Sequence, residues 1–184
     1  MHPEDASRAV LTVGTGRGFV IDGPDQPLVI TAAHCIPHVP PSGPSSIEER
    51  TFQRLLGSLS EQPSIGAVCL FLDPIGDVAV LGCPNNEDLW EQAEAYEALI
   101  ETVSVLPVGD QPRAMTCSGW LLSLEGDWFR CAVRHDDGPL WVSEGTERIT
   151  ERMSGSPILN DNCEAVGVVC ASREAGGSGG RTRG

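Results

Sequence analysis

Three short stretches carry side chains that could act together on a carbonyl carbon. "LVITAAHCIP" (28–37) runs from the β-favouring Leu28, Val29, Ile30 and Thr31 through two small alanines to His34, with Cys35 behind it. "DPIGDVAVLG" (73–82) sets Asp77 at the head of an apolar run, with Asp73 as a second carboxylate nearby. "TERMSGSPILN" (150–160) holds Ser154 and Gly155 in a tight turn just ahead of a strand, with Ser156 as a second hydroxyl. A histidine acting as general base needs a nucleophile on one ring nitrogen and a carboxylate on the other to fix its tautomer. Backbone N–H groups around the serine could converge on the oxyanion that forms when the carbonyl is attacked. Each residue also has a plainer reading. A histidine at a strand end is often packing, and an aspartate or serine beside glycine is often a turn residue. His38 and His135 read as loop or surface histidines.

The elements that must position these groups are short and β-like. The runs 9–22, 27–34, 65–72 and 77–83 fill the first half, and 114–124, 127–135, 138–144, 156–160 and 164–172 the second. Gly, Pro, Asp and Asn separate them, the pattern of an all-β sandwich or barrel. Two interruptions stand out. Segment 37–63 opens Pro/Ser-rich as a loop, then predicts a short helix over 47–59, with Phe52, Leu55, Leu56 and Leu59 at roughly helical spacing. Segment 85–103 predicts a longer helix with Asn86 as N-cap and Trp90, Ala93, Leu99 and Ile100 on one face, packed across the two groups of strands. The expected organisation is 8–84 carrying His34 and Asp77, a helical linker 85–105, then 106–172 carrying Ser154, and a flexible Gly-rich tail 173–184.

The 184 residues suit one domain or two small joined ones, and 40% hydrophobic with 21% charged residues is a globular composition. Twelve basic against 26 acidic residues give a net charge of −14, without the basic stripe of a nucleic-acid binder, so no direct nucleic-acid partner is expected. No apolar run has membrane-spanning length, and the acidic N-terminus shows no secretory signal. Seven cysteines, an odd number, lie singly without a CxxC pair. They read as free thiols in a reducing cytoplasm rather than as a disulfide framework or a zinc site. Cys69, Cys83, Cys117 and Cys170 are expected to be largely buried, each in an apolar run. No metal site and no cofactor are expected.

"ITAAHC", "DVAVL" and "MSGSP…N…AVGVV" together resemble the three signature segments of the chymotrypsin/trypsin-like serine peptidases, in that family's order His, Asp, Ser. "GTGRGFVID" (14–22) resembles the strand pair before the histidine segment in bacterial members. The resemblance spans roughly 9–172. Its weight comes from three motifs in the right order, since each alone is weak. His34 to Asp77 spans 43 positions, as the family leads one to expect; Asp77 to Ser154 spans 77, somewhat short, implying trimmed loops in the second half. The resemblance implies two antiparallel β-barrels with His34, Asp77 and Ser154 in the cleft between them. It implies an oxyanion hole from the N–H groups of Arg152 and Ser154, and a substrate pocket near Arg148, Ile149, Cys170, Ala171 and Ser172. Cys35 matches a family cysteine that is often disulfide-bonded; its partner would fall near Phe19, where no cysteine stands. Ser154 is favoured over Ser156 because Ser-Gly-Ser-Pro matches the family only in that register, and Asp77 over Asp73 because the apolar run starts immediately after it.

The pattern also departs from the family. Arg152 stands where the family usually has glycine, a residue free to take conformations that strain an arginine. The expectation is a resting turn in which the Glu151–Arg152 or Arg152–Met153 peptide is rotated away from the oxyanion position. Met153 replaces the aspartate of zymogen-activated members, and residues 1–10 hold no activation motif. No acidic residue marks a pocket for Lys or Arg. The sequence after 172 offers no counterpart to the final strand and helix of many relatives, so a minimal fold or a piece of a longer protein is expected. Two functions follow. The first is a cytoplasmic serine endopeptidase acting on protein or peptide substrates, restrained by a partner or tethered regulatory domain as in multidomain bacterial effectors. The alternative is a catalytically degenerate module of the same fold that binds peptides or proteins.

Overall fold

The computed structural model describes residues 3–37, 50–84, 89–110, 116–135, 140–143, 145, 147–170 and 182–183. Six strands, β1 (Val10–Val13), β2 (Gly16–Ile21), β3 (Leu28–Thr31), β4 (Arg50–Ser58), β5 (Ile65–Asp73) and β6 (Val78–Gly82), close into an antiparallel barrel in the order β1-β2-β3-β6-β5-β4. Closure leaves no exposed strand edge. Its interior is filled by Leu11, Val13, Val20, Val29, Leu55, Leu56, Ala67, Ala79 and Leu81, all fully buried. Each such aliphatic side chain larger than alanine contributes about 1.5–3 kcal/mol relative to exposure.

The helix expected over 47–59 is not there: 50–58 is the strand β4, and 47–49 lie outside the described residues. Leu55 and Leu56 point inward in succession because the pairing with β5 shifts register between Phe52 and Leu56, around Arg54 at φ +53°. A bulge lets neighbouring residues face one side and so imitates helical spacing in the sequence.

The second half forms a curled sheet of β7 (Thr116–Leu122), β8 (Trp128–His135), β9 (Leu140–Ser143), β10 (Pro157–Leu159), β11 (Ala165–Val168) and β12 (Thr182–Arg183), ordered β11-β10-β7-β8-β9-β12. Leu121, Phe129, Val133, Val142, Met153 and Ile158 build its core. Thr182 and Arg183 pair with Val142 and Trp141, so this part of the expected flexible tail lies in the sheet. The architecture is all-β, a closed barrel beside a curled half-barrel, as expected of two chymotrypsin-like barrels.

Between the halves runs α2 (Trp90–Glu101), after a short N-terminal α1 (Pro3–Ala6). The proposed cap Asn86 lies outside the described residues. The buried face of α2 is Tyr96 and Leu99, with Ile100 beside them, while Trp90 is 58% exposed, against expectation. These residues join the core of the first barrel, so the helix packs on that barrel rather than across both. The Tyr96 hydroxyl donates to Pro27 O (3.3 Å), and Gly66 N–H donates to Gln92 Oε1 (2.9 Å). The chain then stitches the halves together, with Leu106 N–H donating to Val20 O and Ala165 N–H to Pro107 O, both at 2.8 Å. Ala9, Val10, Phe19, Cys35 and Leu106 from one side pack against Leu122, Leu159, Val168 and Cys170 from the other. No described helix is long and apolar enough to cross a membrane.

Candidate active site

His34 sits in a single 3₁₀ turn, Ala33–Cys35, directly after β3; Asp77 immediately precedes β6. Because β3 and β6 pair antiparallel, with Thr31 opposite Ala79, the end of one strand lies beside the start of the other. Asp77 adopts φ +56°, a left-handed conformation that aspartate tolerates better than most residues. That backbone lets both its ends meet the histidine turn. Ala33 N–H donates to Asp77 O (3.1 Å), His34 N–H to Oδ1 (3.0 Å), and His34 Nδ1 pairs with Oδ2 at 2.7 Å. Asp73 is committed elsewhere, its Oδ1 accepting from the N–H groups of Ile75 and Gly76, both at 2.9 Å.

The pair is ionic. The Asp77 hydrogen bond, aided by the Cys35 side chain, pushes the His34 pKa up to about 10 against the opposing effect of burial. Burial alone would raise the Asp77 carboxyl, but the hydrogen bonds from His34 outweigh it and hold the group below its ordinary value. With Nδ1 committed to Asp77, Nε2 is the ring nitrogen left to face a nucleophile. The histidine side chain is 43% exposed, so solvent screens the pair.

Ser154 follows a second 3₁₀ turn, Glu151–Met153, anchored by the buried Met153 in the core of the second sheet. Arg17 N–H on β2 donates to Ser154 O (2.7 Å), and Gly155 N–H donates to Val169 O (2.7 Å), so both halves grip this turn. Gly155 has φ +83°, and a Cβ there would collide with Arg17 O, so only glycine fits. Thr31 Oγ1 donates to that same Arg17 carbonyl at 2.6 Å.

The serine is placed but not connected. Ser154 is fully buried, and among the described residues neither its Oγ nor that of Ser156 has a hydrogen-bond partner. The structure therefore brings His34 and Asp77 together without joining His34 to Ser154 by a hydrogen bond. The backbone is closed as well, since Ser154 N–H donates to Glu151 O at 3.1 Å. All described peptides are trans, so the N–H of Arg152 points opposite to the Glu151 carbonyl and away from Ser154 N. The two N–H groups expected to form an oxyanion hole do not meet at one acceptor, and a carbonyl oxygen occupies one of them.

Of the expected pocket residues, Arg148 is exposed and Ile149 is half-buried against the core of the second sheet. Ala171 and Ser172 lie outside the described residues. Cys170, expected as a pocket wall, lies beside Asp77. Its thiol donates to Asp77 O at 3.3 Å, and burial, with the Asp77 charge, pushes its pKa up to about 12. All seven cysteines are free; Cys35, Cys131, Cys163 and Cys170 are buried. Cys69, Cys83 and Cys117, expected to be buried, are only half-buried, the first and last on strands with a second face open to solvent and Cys83 just beyond the end of β6. Opposite Cys35 stands Gly16, not Phe19: a Cβ on Gly16 would lie 2.5 Å from the Cys35 sulfur and 2.6 Å from Ser154 O. Sequence reasoning also missed Arg17 and Thr31 as supports of the serine turn. The signal was the glycine pair flanking Arg17, which marks a close backbone approach.

No family model matches the chain, and no curated protein matches it in sequence. Solved structures do match. The Rv3671c protease of M. tuberculosis, in its inactive form, is similar with a TM-score of 0.58 and 17% identity, over 98% of this chain and 85% of that one. A serine protease of a human pathogenic astrovirus gives 0.57 and 16% over 96% and 88%. The MamO protease domain of Magnetospirillum magneticum, in its apo form, gives 0.57 and 15% over 99% and 92%. At such identities the likeness carries the architecture: the chain has the chymotrypsin-like peptidase fold.

Proposed function

We propose that the protein is a serine endopeptidase whose resting state is closed at the oxyanion position. The observation that carries this reading is the two-point grip of Asp77 on His34, through Oδ2 on Nδ1 and Oδ1 on the backbone N–H, in a turn whose Cys35 thiol donates to the carbonyl of a serine held in a glycine turn. In the reaction, Ser154 Oγ attacks the scissile carbonyl while His34 Nε2 takes its proton. His34 then returns that proton to the leaving amine, and water repeats the sequence on the acyl-enzyme. Asp77 orients the imidazole and stabilises the imidazolium throughout. The oxyanion needs the N–H groups of Ser154 and Arg152, so the Glu151–Arg152 peptide must rotate before turnover. A protein or peptide substrate, a partner or a tethered domain supplies the interactions that favour the rotated form.

A fluorophosphonate probe tests the reading directly. Covalent labelling of the wild type that disappears in Ser154→Ala supports it. The second reading, a peptide-binding module, draws on the unpartnered Ser154 hydroxyl and its occupied N–H. Absence of labelling in both wild type and Arg152→Gly, together with peptide binding by Ser154→Ala equal to wild type, decides for that module.

A further inference from the structure

Next to the closed turn lies a cavity of about 140 Å³ whose walls include Thr12, Thr15, Arg17, Ser60, Glu61 and Arg152. Its rim is braced: Thr12 Oγ1 donates to Ser58 O (2.9 Å) and accepts from Ser60 N–H (3.0 Å), which ties the β4–β5 turn to β1. Arg17 is only 5% exposed. Its guanidinium donates to Leu122 O (2.9 Å) and Ser123 O (2.8 Å), two neutral carbonyls of the second sheet. A guanidinium carries five N–H donors, so these two bonds leave capacity unused. Among the described residues neither Arg17 nor Arg152 has an ion-pair partner. Burial and the charge of Arg152 both hold the Arg17 pKa below its ordinary value, while Glu125 opposes them. Two cationic residues, one buried, thus line a small polar cavity with the acidic Glu61, while Glu125 acts on Arg17 from outside that lining.

We infer that this cavity binds a small oxyanion, a carboxylate or a phosphate group, between Arg17 and Arg152, and that the bound anion holds the oxyanion turn closed. An anion there offsets the repulsion between the two cations and uses charge-assisted donors that the protein leaves uncommitted. The direction of the coupling comes from linkage. The cavity has its present walls with the Glu151–Arg152 peptide in the closed orientation. Rotating that peptide moves the backbone from which the Arg152 side chain emerges. A ligand fitted to the closed walls binds the closed state more tightly, and can shift the balance only by that difference in affinity. This consequence rests on the peptidase reading; the binding itself does not.

The experiment uses the full chain with two readouts. Thermal midpoints are followed against inorganic phosphate and against acetate, with chloride at matched ionic strength as control. Ser154 labelling by a fluorophosphonate is followed over the same concentrations. A saturable rise in midpoint with phosphate or acetate is expected, weakened at least tenfold in Arg152→Gln and strengthened severalfold in Glu61→Gln, which removes a repelling carboxylate. Labelling should slow with the same half-saturation. Tighter binding of acetate assigns the natural ligand as a carboxylate, and tighter binding of phosphate as a phosphoryl group. A shift reproduced by chloride, or unchanged in Arg152→Gln, means an adventitious ion only and overturns the site. Saturable binding with unchanged or faster labelling overturns the coupling. If Arg152→Gly shows no labelling with or without anion, the peptidase reading has failed, and the midpoint alone decides whether the anion site stands.

Discussion

The two halves of the candidate site are in different states. On the barrel side, three hydrogen bonds at 2.7–3.1 Å join Asp77 to the His34 turn, and the imidazole is oriented before any substrate arrives. On the sheet side, Ser154 is located by its carbonyl on Arg17 N–H, while its N–H is held by Glu151 O and its hydroxyl has no partner among the described residues. The first half draws on strand pairing between β3 and β6, which cannot change without opening the barrel. The second is a single 3₁₀ turn. Rotating one peptide costs about 1 kcal/mol for its hydrogen bond and, if residue 152 must turn left-handed, about 1–2 kcal/mol more. Such a gap leaves roughly one to a few per cent of molecules open. On the proposed reading, catalytic geometry is thus built into rigid elements on one side and gated by a cheap local switch on the other.

Breaking the rigid half should have the largest effect. Asp77→Asn leaves the shape but favours the wrong imidazole tautomer, and above pH 10, where His34 is neutral in both proteins, should lower the rate of Ser154 labelling by about four orders of magnitude. Asp73→Asn should leave labelling within a few-fold, since Asp73 caps its own turn. Equal losses in the two variants would place the carboxylate role elsewhere.

The ion pair also sets the pH dependence. With His34 titrating at about 10, the imidazole is mostly protonated at neutral pH and unable to accept the serine proton. Labelling should therefore climb by at least about a hundredfold between pH 7 and 10, where an unperturbed histidine would level off near pH 7. Stability moves the other way. Because the folded value lies above the unfolded 6.5, His34 stabilises the fold fully below that pH and loses this contribution as pH rises through about 10. Asp77, lowered in the fold, loses its contribution only on acidification through its folded value. In His34→Gln the loss between pH 6.5 and 9 should vanish from midpoint-against-pH curves, leaving the steeper fall above pH 9 that the raised thiols of Cys131 and Cys170 produce.

Loosening the gated half comes next in size. Arg152→Gly removes the backbone penalty of opening, about 1–2 kcal/mol, and should raise basal labelling about tenfold. Ser154→Ala should abolish labelling in either background. A glycine variant no faster than wild type would mean that the turn opens without strain at residue 152, and that the closed state owes more to the anchoring of Met153.

The unequal halves explain what could be read from the sequence. The strand runs around His34 and Asp77 were legible because alternation and β-branched residues mark barrel strands directly, and the motif order resembled a known family. β4 was not, because a bulge at Arg54 put Leu55 and Leu56 on one side and gave the run a helical look. The outer face of α2 misled in the same way, since a tryptophan that is exposed and a tyrosine that is buried have similar pattern value. That Arg152 marks a turned peptide was a local inference from a glycine position. The contact of Cys170 with Asp77 was not legible because only the packing of the two halves brings its thiol there.

The smallest expected effect sharpens that last point. The Cys170 thiol reaches across from the second sheet to Asp77, donating to its carbonyl at 3.3 Å and helping to keep its carboxyl ionised. A weak S–H bond of this kind is worth no more than about 1 kcal/mol, so Cys170→Ala should lower kcat about two- to fivefold once a substrate is in hand. KM should hardly move, because the thiol acts on Asp77 and not on the substrate. Cys170→Ser, which keeps a donor and strengthens it, should restore kcat. The midpoint-against-pH curve gives an independent readout: without a donor on Asp77, its acid limb should shift upward in the alanine variant and return in the serine variant. The reverse pattern, a changed KM with kcat and the acid limb untouched, would make Cys170 a wall of the substrate pocket. The only contact between the sheet side and the carboxylate would then be one of packing, and the rigid half of the site would depend on the barrel alone.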